Sequence, residues 1–249
     1  MLIALTREVP SSINACELTH VARTPIDVAA ARAQHAAYEA ALQEAGCTLR
    51  RLPAADDLPD SVFVEDAAVV VDELAVVTRP GAASRRAETS SVAEALRAHR
   101  DVVAIEEPGT LDGGDVLQLG ETIFVGLSAR TNAEGARQLA GFLEAYGYVV
   151  KTVAVEGALH LKTAVTRVRR DAVLLNPQWI DRALFDCDVI EVDPEEPFAA
   201  NVLLAGETLL CSTAYPKTNA RLGAVTTVDA SELAKAEGGL TCCSILFSV

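Results

Sequence analysis

Two adjacent cysteines, Cys242 and Cys243, lie in the stretch GGLTCCSILF near the end of the sequence. A chain terminus usually frays and contributes little to a fold, but this one is apolar and carries thiols. We therefore expect it to be tied into the folded protein, with Cys242 available for chemistry. Cysteine is nucleophilic as the thiolate, and it needs a cationic neighbour to ionise near neutral pH because the free thiol titrates at about 8.5.

A histidine and several carboxylates stand where apolar, strand-like stretches begin. His160 lies in GALHLKTAV and Asp112 in TLDGGDVL, while Glu65 and Asp66 lie in DSVFVEDAAVV. Carboxylates beside apolar strands are costly unless they are paired or used. His160 could carry protons to and from a leaving group, and Asp112 could orient its imidazole. Together with Cys242, these residues predict covalent catalysis by a thiolate.

The remaining carboxylates indicate the charge of the substrate. Glu65 and Asp66, with Asp60 upstream, would repel an anion and favour a cation. A guanidinium is the planar cation that carboxylates bind in bidentate fashion. Its positive charge would favour the thiolate of Cys242, and its central carbon can be attacked once it is held rigidly.

The composition excludes several classes of protein. The chain has 249 residues, of which 50% are hydrophobic, so we expect a single domain over residues 1–249. Its 35 acidic and 21 basic residues give a net charge of −14, which argues against a nucleic-acid partner because phosphate binding needs a basic surface. An apolar run of membrane-spanning length and a signal peptide are both missing from the sequence, so we expect a cytoplasmic protein without a membrane partner.

The cysteine spacing does not indicate a metal site. Apart from the adjacent pair, the six cysteines are far apart, without a CxxC or a Cys and His spacing that would suit zinc. We expect Cys47, Cys187 and Cys211 to be small core residues, and we expect no metal or other cofactor.

An internal repeat provides the elements that position these side chains. Residues 66–105, 113–153, 163–192 and 200–228 each read as a β-hairpin, a helix and a further strand, a repeat length typical of arrays or propellers. The N-terminal residues 2–52 lack one hairpin strand, which the apolar segment 242–247 could supply. This pattern predicts a five-unit, pseudo-symmetric α/β propeller closed by pairing of the N- and C-terminal strands. The alternative is an open α/β sheet.

The motifs FVEDAAVV, TRPGAASRR, LDGGDVL, VGLSARTNAEGA, HLKTAVT and GLTCCS resemble those of the dimethylarginine dimethylaminohydrolases. This family belongs to the guanidine-modifying pentein superfamily, whose fold is a five-unit α/β propeller. The resemblance extends from LTREVP to SILF and is specific in motif order and spacing. It implies that Cys242 is the nucleophile, His160 the general acid and base, and Asp112 the carboxylate that orients the histidine.

The resemblance also implies how a substrate would be held at its guanidinium end. Asp66, with Glu65, would hold the guanidinium, and Phe63 would pack beside it.

At the other end of the substrate, Arg85 and Arg130 would bind the α-carboxylate. Asp60, the backbone of Leu18 and the backbone near Ala236 would receive the α-amino group. Ala236 departs from the larger aliphatic residue that we expect at this position.

The implied reaction is hydrolysis of Nω-methylated L-arginine to L-citrulline and methylamine or dimethylamine, through a thiouronium adduct on Cys242. Three alternatives remain open: an arginine deiminase-like hydrolase, a protein that binds a basic amino acid without catalysis, and a metal or redox site at the cysteine pair. Zinc capture by Cys242 and His160 would be inhibitory because the ligand set is incomplete. The sequence leaves open a monomer or a homodimer, and the preference between mono- and dimethylated substrates.

Overall fold

The computed structural model describes all 249 residues and contains fifteen strands in five separate three-stranded sheets. The strands are β1 (Leu2–Arg7), β2 (Thr48–Leu52), β3 (Ala68–Val70), β4 (Leu74–Val77), β5 (Asp101–Ala104), β6 (Val116–Leu119), β7 (Thr122–Leu127), β8 (Val149–Ala154), β9 (Val165–Arg169), β10 (Ala172–Leu175), β11 (Asp188–Glu191), β12 (Leu203–Ala205), β13 (Thr208–Ser212), β14 (Thr226–Val228) and β15 (Ile245–Ser248). The α-helices are α1 (Val28–Glu44), α2 (Thr89–Arg97), α3 (Ala133–Leu143), α4 (Leu161–Ala164), α5 (Pro216–Leu222) and α6 (Ser231–Ala234). None of these helices is both long and apolar enough to cross a membrane.

All five sheets repeat one pairing pattern, in which the first strand is antiparallel to the second and the second is parallel to the third. Four sheets are built from consecutive strands, and the fifth has the order β15–β1–β2. In that sheet Leu2 pairs with Ser248 and Leu5 with Ile245. The pairing that we predicted for the N- and C-terminal strands is therefore present, and each sheet is an open three-stranded sheet.

The apolar interior is divided into five clusters of buried side chains. In one of them, Leu139 on α3 packs with Ile123 on β7, and both side chains are fully buried. Burying such a side chain contributes roughly 1.5–3 kcal/mol. The amphipathic pattern of α3 is explained by this contact, and the same cluster also includes Leu74 and Val76 of β4, so it joins two neighbouring sheets.

Two segments differ from their predicted structure. We expected a helix at residues 179–186, but only the 3-10 turn Arg182–Leu184 forms there. Asp181 caps this turn by accepting from the Ala183 N–H, and a local side-chain bond of this kind competes with helix formation. Cys242 was expected to start a strand, but it lies in the 3-10 turn Thr241–Cys243 that precedes β15.

The turn before β15 has counterparts in the other sheets. The 3-10 turn Val64–Ala67 precedes β3, the turn Gly113–Asp115 precedes β6, and α4 precedes β9. Asn201 lies just before β12. The candidate catalytic and binding residues are thus concentrated in the short segments that lead into the first strand of each sheet.

Candidate active site

Two glycines allow the segments before β3, β6 and β9 to pack closely. A Cβ atom on Gly113 would overlap the carbonyl oxygen of Glu65, and one on Gly114 would lie 2.8 Å from Nδ1 of His160. Contacts this short are essentially never seen for a real Cβ, so both positions require glycine. The Gly-Gly pair of LDGGDVL therefore brings the turn Gly113–Asp115 against Glu65 and His160.

His160 and Asp112 form a buried pair in which Nε2 of the imidazole lies 3.1 Å from Oδ2 of the carboxylate. The Gly81 N–H donates to the other carboxylate oxygen of Asp112 at 2.9 Å. Burial acts to lower the pKa of His160, but the charges of Asp66 and Asp115 and the bond to Asp112 outweigh it and raise this pKa to about 9. The imidazole is therefore protonated at neutral pH and can donate a proton.

Asp115 fixes the backbone beside His160. Its carboxylate accepts from the Leu161 N–H at 2.8 Å and from the Ser128 hydroxyl at 2.6 Å. The start of α4, directly after His160, is thereby attached to the turn that contains the Gly-Gly pair. Asp115 belongs to the motif LDGGDVL, but it was not assigned a role from the sequence.

Cys242 is half-buried, and its Sγ accepts from the Gly239 N–H at 3.3 Å. Burial, followed by the negative charges of Glu65 and Asp66, raises the pKa of the thiol to about 12. Cys242 is therefore a neutral thiol in the ligand-free protein. A cation that binds beside it would oppose those charges and favour the thiolate.

Cys243 is placed quite differently from its neighbour. It is fully buried in an apolar cluster with Tyr38, and its Sγ donates to the Gly239 carbonyl at 3.5 Å. Burial raises its pKa well above the usual thiol value. Because it does not line either cavity beside Cys242, only Cys242 is accessible to a ligand.

Asp66 is a buried carboxylate with two donors. Arg85 donates to it from Nη1 at 2.6 Å, and the Gly114 N–H donates at 2.9 Å. Burial acts to raise the pKa of Asp66, but the positive charges of His160 and Arg85 outweigh it and lower this pKa to about 2. Asp66 is therefore anionic at the site.

Glu65 points away from Asp66 and bonds to two residues that the sequence did not single out. Lys162 Nζ donates to one oxygen at 2.5 Å, and the Thr241 hydroxyl donates to the other at 2.7 Å. Burial raises the pKa of Glu65, and Lys162 opposes this shift. Through Thr241, Glu65 contacts the turn that carries Cys242.

Arg85 is buried and bonds mainly to the protein itself. Besides Asp66, it donates to both carboxylate oxygens of Glu88, at 3.3 and 2.9 Å, and to the carbonyls of Asp60 and Phe63. Burial raises the pKa of Glu88 to about 7 against the opposing effect of Arg85. One N–H of Nη1 has no acceptor among these bonds, so Arg85 retains limited capacity for a ligand.

A cavity of about 20 Å³ brings together eight of the eleven predicted site residues. These are Asp60, Phe63, Asp66, Arg85, Arg130, His160, Ala236 and Cys242. The other three lie outside it: Asp112 is behind His160, Glu65 lines a different cavity, and Leu18 packs against an apolar cluster.

Glu237 also lines this cavity, and it was not identified as a site residue from the sequence. Its carboxylate accepts from the backbone N–H groups of Thr19, His20 and Val21, the last at 2.7 Å. It is the one non-glycine residue with positive φ, at 60°, a conformation that costs of order 1 kcal/mol. The carboxylate thus ties the segment 19–21 to the chain just before Cys242, and Arg130 adds a bond to the Thr19 hydroxyl at 3.1 Å.

One set of side chains has the spacing of a metal site. An atom from each of Asp66, Asp112 and His160 lies within 4.8 Å of the others. Asp66 is already paired with Arg85, however, and the raised pKa of His160 opposes binding of a metal to its imidazole. These groups are thus better arranged to bind one another and an organic cation than to bind a metal ion.

Comparison with known proteins identifies the family of the chain. The family model for arginine deiminase matches residues 53–203. The N(G),N(G)-dimethylarginine dimethylaminohydrolase of Pseudomonas aeruginosa is 40% identical over 228 residues, covering 89% of this chain and 90% of the relative. The enzyme of the same name from Streptomyces coelicolor is 45% identical over 233 residues, covering 92% and 90%.

A solved structure shows the same likeness in three dimensions. A cysteine-to-serine variant of the Pseudomonas aeruginosa enzyme, complexed with citrulline, superposes with a TM-score of 0.94 at 38% identity and covers 98% of both chains. The chain therefore belongs to the dimethylarginine dimethylaminohydrolase family, and its five three-stranded sheets form the pentein fold that this family shares with the arginine deiminases.

Proposed function

We propose that this protein hydrolyses Nω-methylated L-arginine, including asymmetric dimethylarginine and monomethylarginine, to L-citrulline and methylamine or dimethylamine. The observation that carries the proposal is one small cavity lined by Cys242, His160, Asp66 and Arg130. It combines a nucleophile, a proton donor, an anion that can bind a guanidinium and a cation that can bind an α-carboxylate. The similar Pseudomonas aeruginosa structure contains citrulline, the product expected of this reaction.

The guanidinium would be held by Asp66, whose low pKa keeps it anionic, with Phe63 packed beside it. Glu65 would act indirectly, because it contacts the turn that carries Cys242 through Thr241. Asp112 would keep the imidazole of His160 in one orientation.

The α-carboxylate of the substrate would be bound by Arg130, with the free N–H of Arg85 as a second donor. Asp60 would accept from the α-amino group, together with backbone atoms of Leu18 and Ala236. Asp60 is positioned for this role by the Glu17 N–H, which donates to it at 3.1 Å.

Binding of the guanidinium would lower the pKa of Cys242, whose thiol proton passes to solvent. The Sγ–C bond to the guanidinium carbon then forms, and the C–N bond to the methylated nitrogen breaks as His160 donates a proton to the departing amine. A cationic thiouronium remains on Cys242. The neutral His160 next takes a proton from water, and the resulting hydroxide attacks the adduct. The C–S bond then breaks to release the thiolate, and the proton of the new hydroxyl group passes to solvent to leave neutral citrulline.

We also infer that residues 1–249 form one catalytic domain in which the five sheets surround a common axis. The support is a second cavity, of about 200 Å³, lined by residues from β3, β6, β9, β12 and β15. The first strands of all five sheets therefore face one shared space, as a propeller requires.

The test is to incubate the purified protein with asymmetric dimethylarginine and with arginine, and to measure citrulline, dimethylamine and ammonia. We expect equal amounts of citrulline and dimethylamine, with ammonia release from arginine slower by about 100-fold or more. An arginine deiminase is the second candidate, because that family's model matches residues 53–203. Faster ammonia release from arginine would favour it and overturn our proposal.

A further inference from the structure

A larger cavity adjoins the small one at the reacting residues. Its volume is about 240 Å³, against about 20 Å³ for the small cavity. The residues that line both are Leu159, His160, Glu237, Gly238 and Cys242. The thiol and the imidazole therefore stand between two spaces of different size.

The two cavities also differ in chemistry. The small cavity contains Asp60, Asp66, Arg85 and Arg130, whereas the large one has no aspartate, lysine or arginine in its wall. Besides the histidines, its one ionisable acidic or basic side chain is Glu237, whose carboxylate is already bound by three backbone N–H groups.

Apolar side chains fill much of the remaining wall of the large cavity, where Val21, Ala158, Phe198, Tyr215 and Leu240 lie together. Such a surface favours an apolar group over a charged one.

We propose that the large cavity receives the alkyl groups on the leaving nitrogen, and that the enzyme hydrolyses Nω-alkyl arginines with substituents larger than methyl. This inference rests on the proposed function. His160 must lie beside the leaving nitrogen in order to protonate it. Asp66 and Arg130, which line the small cavity and not the large one, would bind the guanidinium and the α-carboxylate, so the space open to a substituent beside His160 and Cys242 is the large cavity.

The chemistry balances as it does for the methylated substrates. The Sγ–C bond to Cys242 forms, the C–N bond to the alkylamine breaks, and His160 supplies the proton that leaves with the amine. Water then restores the thiolate, so Nω-butyl-L-arginine and water give citrulline and butylamine without another reactant. A cavity of roughly 150 Å³ can hold benzene, so about 240 Å³ provides room for a four-carbon chain.

The first test compares kcat/KM for Nω-methyl-, Nω-propyl- and Nω-butyl-L-arginine. We expect the butyl compound to remain within about tenfold of the methyl compound, because a site closed around methyl would lose about 10- to 200-fold for one excess methylene. A loss above about tenfold for butyl would overturn the inference. If the methyl and dimethyl substrates themselves are not hydrolysed, the proposed function fails instead.

The second test locates the substituent. Ala214 is exposed and lines the large cavity, whereas Ala220 is also exposed, on α5, but lies outside it. We expect Ala214→Trp to lower kcat/KM for the butyl substrate at least about tenfold more than for the methyl substrate, and Ala220→Trp to lower neither. An equal effect of Ala214→Trp on both substrates, or no effect, would show that the substituent lies elsewhere.

Discussion

The two short turns before β3 and β15 each carry a pair of adjacent reactive side chains, and each pair is divided between two environments. In the turn Val64–Ala67, Asp66 lines the small cavity, while Glu65 lines the cavity of about 200 Å³ that the first strands of the five sheets share. In the turn Thr241–Cys243, Cys242 lines the small cavity while Cys243 is buried among apolar side chains. A 3-10 turn has three residues per turn, so neighbouring side chains point about 120° apart and need not share a function.

The division changes the charge state as well as the position. Burial tends to raise the pKa of both carboxylates, but His160 and Arg85 lower the pKa of Asp66 to about 2 while the pKa of Glu65 remains raised. Two neighbouring carboxylates therefore differ in pKa because each one contacts different partners.

The largest expected effect separates the two cysteines. Cys242→Ser should lower kcat by at least about 10⁴-fold, because it removes the attacking atom. Cys243→Ser should leave kcat within about threefold and lower the free energy of unfolding by about 1–2 kcal/mol, because a hydroxyl replaces a buried thiol. Citrulline assays measure kcat, and urea denaturation measures the free energy of unfolding. Equal loss of kcat in the two variants would mean that Cys242 and Cys243 contribute equally to catalysis.

The same contrast should hold, with a smaller effect, for the two carboxylates. Asp66→Asn should lower kcat/KM about 10³-fold, since it removes the anion facing the substrate and leaves Arg85 without one of its partners. Glu65→Gln keeps a hydrogen-bond acceptor for Thr241 and should cost less than about tenfold. Thermal unfolding of each variant shows whether the fold is retained. A greater loss in Glu65→Gln would reverse our assignment of the two side chains.

The pH dependence of stability tests which carboxylate acts on His160. Its pKa rises from 6.5 to about 9 on folding, so protonation of the imidazole stabilises the fold below pH 6.5 and this contribution is lost as the pH rises to about 9. We expect the free energy of unfolding to fall by about 3 kcal/mol over that range. Urea titrations at several pH values should show a smaller slope in Asp66→Asn and an unchanged slope in Glu65→Gln. An unchanged slope in His160→Asn would show that this histidine does not cause the pH dependence of stability.

The smallest effect concerns the contact between the two turns. The Thr241 hydroxyl donates to Glu65 and accepts from Asn201 at 3.0 Å. Thr241→Val should lower kcat about tenfold and the free energy of unfolding by about 1–2 kcal/mol, because it leaves buried Glu65 with one donor fewer. Thr213→Val, at an exposed position, is the matched control. A loss of stability with unchanged kcat would give the hydroxyl a purely structural role.

The sequence by itself determined the order of elements and the chemistry of the main site. The alternation of apolar stretches predicted four complete units, and the missing strand in the N-terminal unit predicted the pairing of β1 with β15. Such inferences work because strand and helix patterns are local properties of a sequence. Residue type likewise predicted a thiol, an imidazole and carboxylates at equivalent places, although the helix predicted at residues 179–186 is replaced by the 3-10 turn Arg182–Leu184.

The tertiary structure alone decided which of these side chains meet and which ones face away. Lys162, Thr241, Asn201 and Glu237 were not assigned roles from the sequence, because their partners lie far away along the chain: Thr241 is 176 residues from Glu65, and Glu237 is 218 residues from Thr19. The direction of Glu65 relative to Asp66, and of Cys243 relative to Cys242, depends on how two tight turns pack together. A hydrogen bond or a pKa depends on distance in space, and that distance exists only once the five sheets have assembled.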